Sequence, residues 1–172
     1  MVELILGGAR SGKSGYAERQ AAALGPQVVV LVTATASDGE MAERIARHRA
    51  DRPGHWQTLE CGDQLVATLT TLAQADANAL IVDCLTLWLG QLLLDDDECR
   101  LALEVDGLLQ LVAGWPGPPL LLVSNEVGLG IVPESPLARR FRDEAGRLHQ
   151  RLAALADKVT LVVAGIPLCI KG

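Results

Sequence analysis

Short apolar runs recur along the chain at Val2–Leu6, Val28–Val32, Leu80–Val82, Leu120–Val123 and Thr160–Val163. They are β-branched or Leu-rich and lack the apolar–polar alternation of a half-exposed strand. Such runs predict strands buried on both faces, hence a parallel sheet covered by helices. Helical patterns lie between them, at 14–24, 38–50, 63–74, 86–94, 98–113 and 137–156. Trp56–Glu60 has the character of an additional short strand. The segment Gly114–Pro119 reads as a loop, but it is short and leads straight into a core strand, so it marks no domain boundary. No repeat, low-complexity tract or long linker interrupts the pattern. The expectation is α/β: one domain over 1–172 with a mostly parallel, doubly wound sheet.

Composition narrows the functional classes. Of 172 residues, 49% are hydrophobic and 21% charged, which is a globular balance, while only 3% are aromatic. The core must therefore be built from Leu, Val, Ile and Ala. A net charge of −6 and a sequence pI near 5.0, with so few aromatic rings, argue against a nucleic-acid binder, which needs basic surface and stacking platforms. Cys61, Cys84, Cys99 and Cys169 are spaced for neither a zinc site nor a C-x-x-C redox pair, and buried reduced thiols are expected. The apolar stretch from Ala79 to Leu94 is too short for a membrane span, contains Asp83, Gly90 and Gln91, and runs into Asp95-Asp96-Asp97-Glu98. With no basic, cleavable leader pattern ahead of the first strand, a cytoplasmic protein is expected.

The first candidate chemistry follows the first strand. Gly7-Gly8-Ala9-Arg10-Ser11-Gly12-Lys13-Ser14 fits the phosphate-loop pattern G-x-x-x-x-G-K-[ST], between the strand VELIL and a helix start. Glycines let successive backbone N–H groups turn toward one anion, and the helix N-terminus adds its dipole. Lys13 is placed to reach the β and γ phosphates and Ser14 to hold Mg²⁺. Asp83, directly after Leu80-Ile81-Val82, suits a second Mg²⁺ group or, alternatively, the cap of the following helix. Glu126 ends another core strand and is a weaker candidate base or ligand. No N-K-x-D guanine-reading segment is present, which disfavours a regulatory GTPase, and the acidic balance disfavours a DNA-dependent ATPase. The loop alone leaves open a small-molecule kinase or a nucleotide-sensing module.

A second constellation, RIARHRADRPGHW, places Arg44, Arg47, Arg49 and Arg52 around His48 near the end of a predicted helix that Pro53 stops. On residue types alone, His48 reads as a surface histidine favoured by the helix C-terminal dipole, among solvated arginines. The same charges allow another use. Guanidiniums disfavour imidazolium and keep the ring neutral and nucleophilic, and they neutralise a triphosphate whose α-phosphorus the ring attacks.

Together, GGARSGKS, RHRADRPGHW, DCLTLWL and VSNEVGLGIVPESPLARRFRDEAGRLHQRLAALAD resemble the bifunctional adenosylcobinamide kinase / adenosylcobinamide-phosphate guanylyltransferase family of cobalamin assembly, over nearly the whole chain. The resemblance implies a P-loop NTPase-like, RecA-like core. It also implies two activities: phosphorylation of adenosylcobinamide by ATP or GTP, then transfer of GMP from GTP to adenosylcobinamide phosphate through a guanylylated histidine. By motif position that histidine is His48, rather than His55 or His149. Nucleotide contacts carry over to Gly7, Gly8, Ala9, Arg10, Ser11, Gly12, Lys13 and Ser14, to Thr33, Ala34 and Thr35, to Arg49, Ala50, Asp51 and Arg52, and to Glu60 and Asp83. Arg47 stands where some relatives carry a second histidine. A homo-oligomer, specifically a trimer, is implied as well. Gly128 to Arg142 is a candidate mobile loop for corrinoid or subunit contacts, or else a structured turn.

Overall fold

The computed structural model of the chain describes residues 1–34 and 52–172. The predicted helix over 38–50 lies outside the described residues. The strands are β1 (Val2–Gly7), β2 (Val28–Val32), β3 (Gln57–Glu60), β4 (Ala79–Asp83), β5 (Leu120–Asn125), β6 (Lys158–Val163) and β7 (Ile166–Lys171). The described helices are α1 (Lys13–Leu24), α2 (Leu65–Leu72), α3 (Leu85–Leu94), α4 (Glu98–Ala113) and α5 (Pro136–Leu155). All strands join one seven-stranded sheet in the order β3-β2-β4-β5-β1-β6-β7. Strands β1 to β6 pair in parallel, and β7 returns antiparallel to β6.

The apolar runs act as predicted because successive side chains enter opposite layers. Leu4, Val29, Leu31, Leu80, Val82, Leu120 and Leu122 pack into the core beneath α2 to α5, whose contribution includes the fully buried Trp88. Ile5, Val28, Val30, Val32, Ile81, Leu121 and Val123 point the other way, onto Tyr16, Ala17 and Ala21 of α1. Both faces of β1, β2, β4 and β5 are therefore dry, which explains the absence of alternation. Helix starts follow local chemistry: Asp97 accepts from Arg100 N–H at 3.0 Å to cap α4. Ser135 caps α5 by accepting from Ala138 N–H, ahead of Pro136 at the first helical turn. Of the candidate loop 128–142, the part from Pro136 onward is thus helix.

Two polar groups sit inside this apolar frame. Glu3 in β1 is 2% exposed. Its Oε1 accepts from Tyr16 Oη (3.0 Å) and Thr160 Oγ1 (2.7 Å) and pairs with Lys158 Nζ at 3.2 Å. The carboxylate thereby joins β1, α1 and β6. His149 of α5 is buried with Nε2 2.7 Å from Ser124 Oγ. Burial holds its imidazole below the usual histidine range, against the opposing pull of Glu126.

Below pH about 6.5, an unfolded chain binds a proton that this buried ring refuses, so stability should fall with falling pH, by up to about 1.4 kcal/mol per pH unit from this one group. His149→Gln, which keeps a partner for Ser124, should flatten that slope between pH 7.5 and 5.5 in urea unfolding. Equal slopes for parent and variant would show that His149 does not govern it.

Two sequence expectations are corrected. Cys61 and Cys84 are buried, but Cys99 and Cys169 are exposed; all four are free. Cys99 opens α4 on its solvent side and Cys169 lies on the edge strand, where no layer covers it. Strand β7, absent from the sequence reading, is exposed throughout. Its hairpin turn places Ala164 at φ 51 and Gly165 at φ 80. Both central residues thus have positive φ, as a tight right-twisted hairpin requires, but Ala is a poor advertisement for that turn. Among the described residues no helix is long and apolar enough to cross a membrane.

Candidate active site

The phosphate loop leaves the C-terminal end of β1, the edge at which doubly wound sheets bind ligands. Gly7 has no room for a side chain: a Cβ there would lie 2.4 Å from Ser11 Oγ and 2.7 Å from the Val162 carbonyl. Gly12 caps α1 at φ 92 and its carbonyl accepts from Tyr16 N–H at 2.9 Å. Between them Arg10 adopts φ 56 and Ser11 N–H donates to the Gly8 carbonyl at 3.2 Å. The loop is braced from two sides. Gly165 N–H in the β6–β7 turn donates to the Ser11 carbonyl (2.7 Å), and Glu126 N–H after β5 donates to the Gly7 carbonyl (3.0 Å). Lys13 is buried and its Nζ lies 3.4 Å from the Gly8 carbonyl, which folds the ammonium back over the loop. The hydroxyl of Ser11 is buried without a hydrogen-bond partner, an unsatisfied group inside the loop, packed against Gly7.

Strands β2 and β4 supply the flank of this cradle. Ser14, in the first turn of α1, places Oγ 3.4 Å from Asp83 Oδ1. The other carboxylate oxygen of Asp83 accepts from Arg52 Nη2 at 3.3 Å, while Arg52 Nε donates to Glu18 Oε1 at 3.1 Å. The Arg52 side chain is only 4% exposed, so the guanidinium is desolvated and needs these partners. Asp83 does not cap α3. That position belongs to Cys84 and has no side-chain cap bond. The Asp83–Cys84 peptide is cis. Thr33 holds it by donating Oγ1–H to the Cys84 carbonyl (2.7 Å) and accepting from Cys84 N–H (3.1 Å). Gln91 Nε2 secures Thr33 in turn through its carbonyl at 2.6 Å. Thr33 thus positions Cys84, the residue that follows Asp83, and Ala34 is buried next to Thr33.

Of the residues expected to contact nucleotide, the structure brings together Gly7 to Ser14, Thr33, Ala34, Arg52 and Asp83. Glu60 stands apart, exposed at the end of the edge strand β3. Thr35, His48, Arg49, Ala50 and Asp51 lie outside the described residues. Glu18 escaped the sequence reading. The available signal was its spacing of four residues from Ser14, which puts both on one face of α1. Glu126, considered there as a base or ligand, turns its carboxylate back onto Gly128 N–H.

Ser14 and Asp83 offer hard oxygen donors, and no cluster of three or more His, Cys, Asp or Glu side chains competes among the described residues. This sparse set fits Mg²⁺, which keeps water and phosphate oxygens rather than a full protein cage. Cys84 is no rival nucleophile here: burial first, then the neighbouring Asp83 charge, hold its thiol above the ordinary range. Burial likewise pushes Cys61 up to about 11.

Comparison with known proteins addresses the chain as a whole. The sequence profile of the cobinamide kinase / cobinamide phosphate guanyltransferase family matches residues 3–170. The chain is 55% identical to the bifunctional adenosylcobalamin biosynthesis protein CobP of Pseudomonas aeruginosa, covering 100% of this chain and 98% of that one. It is 45% identical to the bifunctional adenosylcobalamin biosynthesis protein CobU of Salmonella typhimurium, covering 99% and 100%. Among solved structures, the RadB recombinase superposes with a TM-score of 0.55 at 16% identity, over 93% of this chain and 73% of that one. This last likeness speaks for the fold alone, a P-loop NTPase-like α/β core. The match over residues 3–170, with the full-length relatives, establishes that the protein belongs to the cobinamide kinase / cobinamide phosphate guanyltransferase family.

Proposed function

We propose that the chain acts as one nucleotide-binding transferase domain of cobalamin biosynthesis with two successive reactions. In the first, the aminopropanol hydroxyl of adenosylcobinamide attacks the γ-phosphorus of ATP or GTP, giving adenosylcobinamide phosphate and a nucleoside diphosphate. In the second, a nitrogen of His48 attacks the α-phosphorus of GTP. A P–N bond forms, the bond to the β-phosphate oxygen breaks, and pyrophosphate leaves. An oxygen of adenosylcobinamide phosphate then displaces His48 from phosphorus, yielding adenosylcobinamide-GDP and the free imidazole. The observation that carries the reading is family membership over the whole chain.

The geometry supports where the triphosphate sits. The loop from Gly7 to Ser14 opens helix α1 and folds Lys13 back over itself, which suits one anion at the helix N-terminus. Mg²⁺, when bound by Ser14 and Asp83, supplies neutralisation of charge on the phosphoryl oxygens. Arg52, Thr33, Ala34 and Glu60 complete the nucleotide contacts, together with Thr35, Arg49, Ala50 and Asp51, and Glu60 offers a carboxylate to the guanine N–H groups. After β5, Leu129, Ile131 and Val132 are 86%, 96% and 60% exposed on the loop that follows Glu126. Such apolar surface, on a segment whose first residue Glu126 bonds the Gly7 carbonyl, suits a corrinoid or a neighbouring subunit. We place the enzyme in the cytoplasm as a homo-oligomer, a trimer.

The test is product analysis. Incubated with adenosylcobinamide, GTP and Mg²⁺, the protein should release adenosylcobinamide-GDP and pyrophosphate. Accumulation of adenosylcobinamide phosphate alone would leave a P-loop kinase without the guanylyl step, and no corrinoid product would leave a nucleotide-sensing module.

A further inference from the structure

The strand order puts the two halves of the phosphate site on strands that do not pair. Strand β1 leads into the loop, β4 carries Asp83, and β5 lies between them. A γ-phosphate held both by the loop and by a metal at Asp83 must therefore span the C-terminal end of β5. The residue at that end is Asn125, in register with Gly7 and two places beyond Val123, the partner of Asp83. Strand alternation gives Asn125 the face of Val123, which packs with α1, while Ser124 turns to His149 on the other face. The Asn125 side chain is half-buried and held in place. Its Nδ2 donates to Thr86 Oγ1 at 3.0 Å, and Thr86 is itself buried with Oγ1 3.1 Å from Cys84 Sγ. The second Nδ2–H and Oδ1 have no partner among the described residues. The next side chain, Glu126, turns its carboxylate away onto Gly128 N–H. The group left at the strand end is thus neutral and carries both a donor and an acceptor.

We propose that Asn125 is a substrate-contacting residue of the phosphoryl-transfer step, with Thr86 as the positioning residue that sets its amide. This rests on the proposed kinase reaction and on the loop as the γ-phosphate site. The second Nδ2–H donates to a γ-phosphoryl oxygen, and Oδ1 accepts from the attacking hydroxyl. The hydroxyl oxygen bonds to the γ-phosphorus as the bond to the β-phosphate oxygen breaks, and the hydroxyl proton leaves through the product phosphate. Asn125 aligns the two reactants and takes no proton. A carboxylate at this place would repel the same phosphoryl oxygens. GMP transfer breaks a bond at the α-phosphorus, so a contact at the γ end serves it only as binding.

The experiment measures two reactions of the full chain: phosphorylation of adenosylcobinamide with ATP and Mg²⁺, and covalent α-label from GTP without corrinoid. Asn125→Ala should lower kcat for phosphorylation roughly thirtyfold, through loss of a hydrogen bond to a charged phosphoryl group, with KM for ATP nearly unchanged. Phosphorylation should suffer about tenfold more than labelling does. Asn125→Asp, isosteric but anionic, should be at least as slow as Asn125→Ala. Thr86→Val, which releases the amide, should cost kcat about tenfold, and Thr86→Ser, which keeps the hydroxyl, should recover most of that loss. Equal losses in both reactions would show a structural role and overturn the proposal, as would a Thr86→Ser variant no faster than Thr86→Val. A parent that makes no adenosylcobinamide phosphate removes the kinase reading and this proposal with it, whereas an active parent matched by folded Asn125→Ala removes the proposal alone. If the parent takes no α-label, the kcat and KM of the variants decide. If Asn125→Ala does not fold, Asn125→Asp decides by the same measurements.

Discussion

Lys13→Ala should slow both transfers by roughly thirty- to a hundredfold while leaving the protein folded. The ammonium lies over the loop, 3.4 Å from the Gly8 carbonyl, and on the proposed reading it meets the phosphates of either nucleotide there. Removing one charge-assisted contact to phosphate costs on the order of 2–3 kcal/mol, which sets that factor. Lys13 is buried, but alanine at this helix-start position preserves helix propensity and relieves a buried charge. Circular dichroism and thermal unfolding should therefore stay close to the parent. Parallel assays of adenosylcobinamide phosphorylation and of GMP transfer check the prediction. A folded variant that phosphorylates at the parental rate would remove the phosphate loop from the kinase reaction.

His48→Ala should abolish GMP transfer and spare phosphorylation. On the proposed mechanism the two reactions break different bonds of the triphosphate, and only attack at the α-phosphorus uses a protein nucleophile. Loss of a nucleophile is not a graded effect, so residual transfer should fall to background. Arg49 and Arg52 both follow this histidine in sequence, and the neutralisation of the triphosphate proposed for them predicts reduced but measurable transfer when either is replaced by Lys. His55→Ala and His149→Ala should retain transfer. His149 in particular is occupied with Ser124 inside the fold.

Much of the frame was legible because its physics is local. The runs in β1, β2, β4 and β5 are apolar on both faces, and the structure buries both faces. The loop after β1 carries its glycines where a Cβ would strike Ser11 and Val162 or where φ reaches 92. What escaped depends on distant partners. Glu3 reads as an interruption of an apolar run, yet Tyr16, Thr160 and Lys158 make it a buried hub. Glu18 reads as a solvated helix residue, and only Arg52, brought back to α1 by the fold, gives it a task. Strand β7 escaped because an exposed edge needs no buried pattern and its turn lacks the Asn-Gly signature. The exposed Cys99 and Cys169 show the same limit: residue type suggested burial, and position decided otherwise.

The central claim, two chemistries served by one nucleotide-binding domain, is tested most directly by labelling the parent protein with GTP and Mg²⁺ in the absence of corrinoid. Label at the α-phosphorus should become covalently bound while label at the γ-phosphorus should not, since His48 keeps GMP and releases pyrophosphate. The bond should be labile in acid and durable in alkali, as a phosphoramidate is, and adenosylcobinamide phosphate should discharge it into adenosylcobinamide-GDP. An active enzyme that never acquires the α-label, or a folded His48→Ala variant that still does, would contradict the account.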